Sequence, residues 1–213
     1  MKISWLGHAC FMIKTDSGKV IITDPFDDSV GYPQPRAAAD LVTVSHQHFD
    51  HNAVKMVLGK PKVIQTAGEH ILNGLKIIGI SCYHDDAKGS LRGKNLIFIF
   101  EENDLRLCHL GDLGHIPDQK LLGEIGHVDV LFIPVGGLYT IDASEAKEVI
   151  SLVNPRCVAP MHYKTSYLKL PISPIDNFLK YFPEHIVIDQ LEISPEKLPE
   201  KTQVVVLNLD IQK

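Results

Sequence analysis

The chain has 213 residues, 45% of them hydrophobic and 22% charged, with a formal net charge of −5. That is the make-up of one globular domain, taken here as residues 1–213, with a sizeable core. No run of Lys or Arg indicates electrostatic capture of nucleic acid, although bound cations would alter the field locally, and no apolar stretch approaches a membrane span.

Lys2 to Leu6, Cys10 to Lys14 and Val20 to Thr23 read as short strands rich in β-branched residues. Asp16-Ser17-Gly18-Lys19 is a hairpin turn, Asp24-Pro25 ends the third strand, and Tyr32 to Pro35 marks a loop. Leu41 to Ser45 is a further strand that runs into a histidine cluster. Asn52 to Leu58 reads as a short helix capped by its Asn and stopped by Gly59 and Pro61. Strands recur at Lys62 to Gln65, Lys76 to Tyr83, Asn95 to Phe100 and Leu105 to His109. A helix with Pro in its first turn follows at Pro117 to Ile125. Val128 to Pro134 is a strand, and Asp142 to Val153 a helix capped by Asp142 or Ser144. Arg156 to Pro160 is a strand, Pro174 to Tyr181 a helix, and Gln203 to Leu209 a last strand. Strands first, then strands alternating with helices, predict an α/β or α+β domain with helices outside the sheets.

The four cysteines, Cys10, Cys82, Cys108 and Cys157, form no C-x-x-C pair and no disulfide framework, and each sits in an apolar run. They read as buried small hydrophobes in a reducing compartment. The start, Met1 to Leu6 and then Gly7-His8, lacks the apolar stretch of a signal peptide, so a cytoplasmic location is expected.

The strongest chemical signal is His46-Gln47-His48-Phe49-Asp50-His51. A strand delivers extended backbone, so side chains at i and i+2 point the same way and His46 and His48 can grip one metal ion. Asp50 and His51 follow where the chain turns and can face a second. Imidazole with carboxylate suits zinc, manganese or iron better than calcium. His84, Asp112 and His162 each lie just past an apolar strand, where sheet scaffolds hold a site rigidly.

His-x-His-x-Asp-His resembles the signature of the metallo-β-lactamase superfamily. Trp5 to Cys10 and Thr23-Asp24-Pro25-Phe26 resemble the opening of its branch containing ascorbate-6-phosphate lactonase. His109 to His115, Pro134 to Gly137 and Pro160 to Thr165 resemble a largely uncharacterised group of Zn-dependent hydrolases in that branch. The likeness runs over residues 2 to 167. It implies a four-layer αββα sandwich with two divalent ions, zinc first and manganese or iron as alternatives. His46, His48 and His84 would bind one ion, and Asp50, His51 and His162 the other. Asp112 would bridge both, and Asp24 would hydrogen-bond the loop that presents the histidines. Asp112 stands where other members carry Cys, and Leu113-Gly114-His115 replaces a common Thr.

The function this implies is hydrolysis of a small-molecule ester or lactone by a metal-activated hydroxide, with Asp50 and Asp112 as the catalytic carboxylates. Alternatives are a phosphodiesterase acting on nucleotides or RNA, a di-iron redox protein, and a non-catalytic metal-binding protein on the same scaffold. Lys164 and Arg92 are candidates to hold a substrate anion. His115 is a candidate proton donor or supporting group, His109 a support for its strand end, and His8 a buried, satisfied histidine or supporting group. Asp85 to Gly93, with Gly89 and Gly93 as hinges, is a candidate lid.

Overall fold

The computed structural model describes residues 1–34 and 36–211; Pro35, the end of the expected Tyr32-to-Pro35 loop, lies outside the described residues. Two mixed sheets make up the body. The smaller contains β1 (Lys2–Gly7), β2 (Cys10–Lys14), β3 (Val20–Thr23), β4 (Leu41–Thr43), β5 (Lys62–Ile64) and β13 (Leu191–Glu192), in the order β13-β1-β2-β3-β4-β5. The larger contains β6 (Gly68–Leu72), β7 (Leu75–Tyr83), β8 (Lys94–Glu102), β9 (Leu105–His109), β10 (Val130–Pro134), β11 (Cys157–Met161), β12 (Ile186–Ile188) and β14 (Gln203–Leu207). Its order is β12-β14-β11-β10-β9-β8-β7-β6.

Pairing switches from antiparallel to parallel within each sheet. β3, β4 and β5 run parallel, as do β9, β10, β11, β14 and β12. Every residue of β10 and β11 is buried, the pattern of parallel strands covered on both faces. The helices α1 (Gln119–Ile125), α2 (Ala143–Val153) and α3 (Asp176–Leu179) fall in the crossovers of this larger sheet. Short 3-10 turns, Asp28–Val30 and Val54–Met56, take the equivalent places beside the smaller sheet, so the expected αββα sandwich has uneven helical cover. One contiguous core joins the sheets. Phe11 of β2 meets Phe132 of β10 with ring centroids 4.5 Å apart, and both are fully buried.

The differences from expectation have local causes. Asn52 caps nothing: its Nδ2 donates to the Gln47 carbonyl, and only the 3-10 turn Val54–Met56 forms. Pro117 lies outside α1, whose cap is Asp118 accepting from the Leu121 N–H. The Pro174-to-Tyr181 helix shrinks to Asp176–Leu179. Three strands escape the reading, β6, β12 and β13. They are short or largely exposed, and carry no alternation between apolar and polar positions. All four cysteines are free and buried. Among the described residues no helix is long and apolar enough to cross a membrane.

α2 carries a full capping box. Asp142 accepts from the Ser144 and Glu145 N–H groups, and Glu145 reaches back to the Asp142 N–H. Asp142→Ala is expected to cost about 1 kcal/mol, read as a lower urea midpoint at unchanged slope. An unchanged midpoint would show that α2 is held by packing alone.

Candidate metal centre

Polar residues collect where strands of both sheets end. Asp24 follows β3, Ser45 and His46 follow β4, and His84 follows β7. Asp112 follows β9, and His162 follows β11. The two edges are stitched together by backbone. The Leu96 N–H donates to the Ser45 carbonyl at 2.9 Å and the His162 N–H to the His8 carbonyl at 3.2 Å. His109, fully buried, donates through Nε2 to the Ala9 carbonyl and accepts the Gly111 N–H at Nδ1. That clamps the ends of the sheets together, the supporting role read for it from the sequence.

Asp24 is fully buried and organises the histidine loop. Its Oδ1 accepts the Ser45 N–H at 2.7 Å, and its Oδ2 accepts Ser45 Oγ at 2.6 Å and His51 Nδ1 at 3.0 Å. Because Ser45 Oγ donates to Asp24, it accepts from His46 Nδ1, 2.9 Å away. One carboxylate thereby places the Nδ1 protons of two histidines and leaves both Nε2 atoms for something else. Asn95 does the same for the bridging candidate: its Oδ1 accepts the Asp112 N–H, while Nδ2 donates to the Leu110 carbonyl.

Asp112 Oδ2 sits amid four imidazoles. It lies 3.2 Å from His84 Nε2, 3.2 Å from His162 Nε2, 3.3 Å from His51 Nε2 and 3.8 Å from His46 Nε2. On one side, His46 and His84 are joined by exposed His48, with ring centroids 4.5 and 5.0 Å away. On the other, Asp50, His51 and His162 are joined by His8, whose Nε2 is 3.1 Å from Asp50 Oδ2. Ligand-type atoms of His46, His48 and His84 lie within 4.8 Å of one another, as do those of His8, Asp50, His51 and His162, and those of His46, His51 and Asp112.

A cation fits this cluster because the protein leaves its polar atoms unserved. Among the described residues nine buried side-chain N or O atoms lack a hydrogen-bond partner. Six belong here: His8 Nδ1, His46 Nε2, His51 Nε2, His84 Nδ1, Asp112 Oδ1 and His162 Nδ1. Buried polar groups without partners are costly, and a cation beside Asp112 would answer three of these, His46 Nε2, His51 Nε2 and Asp112 Oδ1. The donor set, imidazole and carboxylate, suits zinc, manganese or iron.

The charges are strongly perturbed. Burial, then the neighbouring His51, pushes His46 down to about 3, and burial with the nearby His162 pushes His8 down to about 4. Burial would also lower His51, but Asp112 and Asp50 overcome it and raise His51 well above the usual imidazole value. Burial alone would raise Asp112; the His162 and His51 rings instead hold it well below the carboxylate range. His46 is therefore ready to donate a lone pair, whereas His51 holds its proton until a cation displaces it.

His8, Asp24 and His162 all have left-handed backbone, with φ of 53°, 38° and 53°. His162 is seated against Gly136, where an added Cβ would lie 2.1 Å from the His162 carbonyl oxygen. This gives the Pro134-to-Gly137 run a steric reason.

The cluster opens on a cavity of about 490 Å³ whose lining includes His48, Asp50, His84, Asp112 and His162. Phe49, Arg92, Tyr139 and Leu170 complete much of its wall. Two sequence candidates lie elsewhere. His115 accepts the Tyr83 N–H and donates to the Ile116 carbonyl, lining a separate cavity. Lys164 Nζ donates to the Leu170 carbonyl at 2.7 Å, so it braces the wall without lining it. Ser45 and Asn95 were not identified from the sequence, where nothing distinguishes them from other polar loop and strand residues. His8 is buried as expected, but it is not satisfied, since its Nδ1 has no partner.

Residues 2–162 match the family model described as the β-lactamase superfamily domain. A UPF0173 metal-dependent hydrolase of Methanoregula boonei is 33% identical over 78% of this chain and 83% of its own. Another, from Pyrococcus horikoshii, is 30% identical over 78% and 85%. The crystal structure of a candidate Zn-dependent hydrolase of the metallo-β-lactamase superfamily from Thermotoga maritima superposes with a TM-score of 0.82. It is 44% identical, and the match covers 97% of each chain.

Asp24→Asn keeps the shape but cannot accept all three hydrogen bonds. Zinc affinity, measured by competition with a chromogenic chelator, should fall about 10–100-fold; unaltered affinity would remove Asp24 from the support of the site. Zinc uptake should also release a proton from His51, so affinity should rise with pH, by about tenfold per pH unit for as long as His51 stays protonated in the free protein. Calorimetry in buffers of different ionisation enthalpy reads that proton directly, and zero release would place His51 outside the ligand set.

Proposed function

The chain belongs to the UPF0173 metal-dependent hydrolase family of the metallo-β-lactamase superfamily, and we propose that it hydrolyses a small-molecule ester or lactone at a dinuclear metal centre. The observation that carries this reading is Asp112 Oδ2 within 3.2–3.8 Å of four imidazole Nε2 atoms at the wall of a cavity of about 490 Å³. His46, His48 and His84 would hold one ion, Asp50, His51 and His162 the other, and Asp112 both. Zinc is the first choice, and manganese or iron share the donor preference.

Two such ions supply Lewis acidity, acidifying water and polarising the oxygen of a carbonyl or phosphoryl group. The chain's own residues do the rest. Asp24 and Ser45 keep His46 and His51 in the tautomers that offer Nε2. Asp50, fixed by His8 Nε2, faces the cavity and is positioned to accept a proton from attacking water. Phe49, Tyr139 and Leu170 give the cavity apolar surface for the body of a small substrate. The size of the cavity and the absence of any Lys/Arg run favour a small molecule over a long nucleic acid. The resemblance of Trp5 to Cys10 and Thr23 to Phe26 to the opening of the lactonase branch, read from the sequence alone, favours carbonyl chemistry.

The test is turnover by zinc- or manganese-loaded protein of a lactone, a carboxylic ester, a thioester and a chromogenic phosphodiester. The expected outcome is hydrolysis of the ester or lactone, lost by at least about 100-fold on chelation and in Asp112→Asn. Turnover of the phosphodiester alone would replace carbonyl by phosphoryl chemistry. Stoichiometric metal with no turnover would favour the non-catalytic metal-binding reading.

A further inference from the structure

Among the described residues that line the metal cavity, Arg92 is the one Lys or Arg. It is half-buried, and among the described residues no carboxylate pairs with it and no acceptor takes its side-chain N–H groups. The guanidinium lies over the Tyr139 ring, whose centroid is 5.5 Å from the guanidinium carbon. A guanidinium over a ring face is held through its charge and not through its hydrogens, so its five N–H donors stay available to an acceptor.

The loop that carries Arg92 is fixed rather than hinged. The Asp85 carboxylate accepts four backbone N–H groups, from Ala87, Gly89, Leu91 and Arg92, at 2.9, 2.8, 3.1 and 2.7 Å. The Gly93 N–H donates to the Gly89 carbonyl, and the His84 N–H donates to the Gly93 carbonyl. The loop is thus a wall tied at one end to His84, a candidate ligand, and the lid suggested by its glycines is not what these bonds make. Arg92 is held in a set position beside the centre.

An unpaired cation is unfavourable beside a site built for divalent cations unless an anion comes between them. We infer that Arg92, lying over the Tyr139 ring, is a binding subsite for a carboxylate on the substrate, remote from the bond that is cut. The single cation matches a monoanion. A phosphate monoester would bring nearly two charges to a wall whose described residues include no second Lys or Arg. Guanidinium also pairs with carboxylate in two parallel hydrogen bonds, which Lys cannot do. The substrate class is therefore an ester or lactone that bears a free carboxylate. This rests on the cavity being the hydrolytic site proposed above.

The test is calorimetric binding of glutarate and of its monoamide, glutaramate, to zinc-loaded protein. Each has one carboxylate for the metal ions, and only glutarate has a second for Arg92. Wild type should prefer glutarate by about tenfold. Arg92→Met should abolish the preference while leaving glutaramate affinity within about twofold, and Arg92→Lys should restore part of it. No preference in wild type, a preference that survives Arg92→Met, or an equal loss for both ligands would overturn the subsite. Tighter binding of 3-phosphonopropionate than of glutarate, lost in Arg92→Met, would overturn the carboxylate assignment in favour of phosphate. A glutarate preference without turnover of any ester would spare the subsite and sink the hydrolase reading; turnover without the preference would do the reverse.

Discussion

The buried carboxylate of Asp24 is the constraint on which the centre depends. A charge with no exposed surface is tolerated only when fully hydrogen-bonded. Asp24 meets that demand by taking a backbone N–H, a hydroxyl and an imidazole N–H from the loop after β4. Those three bonds set the path of the loop from Ser45 to His51. They also decide which nitrogen of His46 and of His51 carries hydrogen, so a group with no access to substrate determines which atoms face it.

The second constraint is the convergence of two sheets. Neither sheet alone holds enough polar residues for the centre: His46, Asp50 and His51 come from the smaller, and His84, Asp112 and His162 from the larger. The bonds Leu96 to Ser45, His162 to His8 and His109 to Ala9 set the distance between the edges. His8 contributes twice, its carbonyl to His162 and its ring to Asp50. Left-handed backbone at His8, Asp24 and His162 is the strain that this close meeting requires, and the continuous core beneath holds it in place.

How legible this was in the sequence depended on where each part's meaning lies. His46 to His51 can be read directly, because metal-ligating residue types are packed into six positions after an apolar strand. His84, Asp112 and His162 are ordinary residues singly and became candidates by standing past strands and by the superfamily likeness; the structure brings them together. Ser45 and Asn95 were illegible because their roles arise from partners distant in the chain, Asp24 and Asp112. The setting of His115 was hidden for the same reason: it sits three residues after Asp112, yet its ring bonds Tyr83 and Ile116 and lines a separate cavity. In the fold, strands with apolar or alternating runs were legible. β12 has the right residues, Ile-Val-Ile, but only three of them and largely exposed, while β6 and β13 are strands by their pairing and not by their composition.

Charge explains why such a site would act on acyl or phosphoryl groups at all. Two divalent ions, as proposed, would bring four positive charges against the three negative ones of Asp50, Asp112 and the buried Asp24. Arg92 adds a further positive charge to the wall. The loaded cavity would be left net positive, in surroundings where burial already lowers His46 and where the His162 and His51 rings hold Asp112 below the carboxylate range against the effect of its burial. A neutral ground state gains little from that field. An attacked carbonyl or phosphoryl centre, whose oxygen gathers negative charge as the bond breaks, gains more, and so does an anionic leaving group. The same imbalance that leaves buried lone pairs waiting for a cation would, once met, leave an excess that favours the charge-separated transition state of hydrolysis.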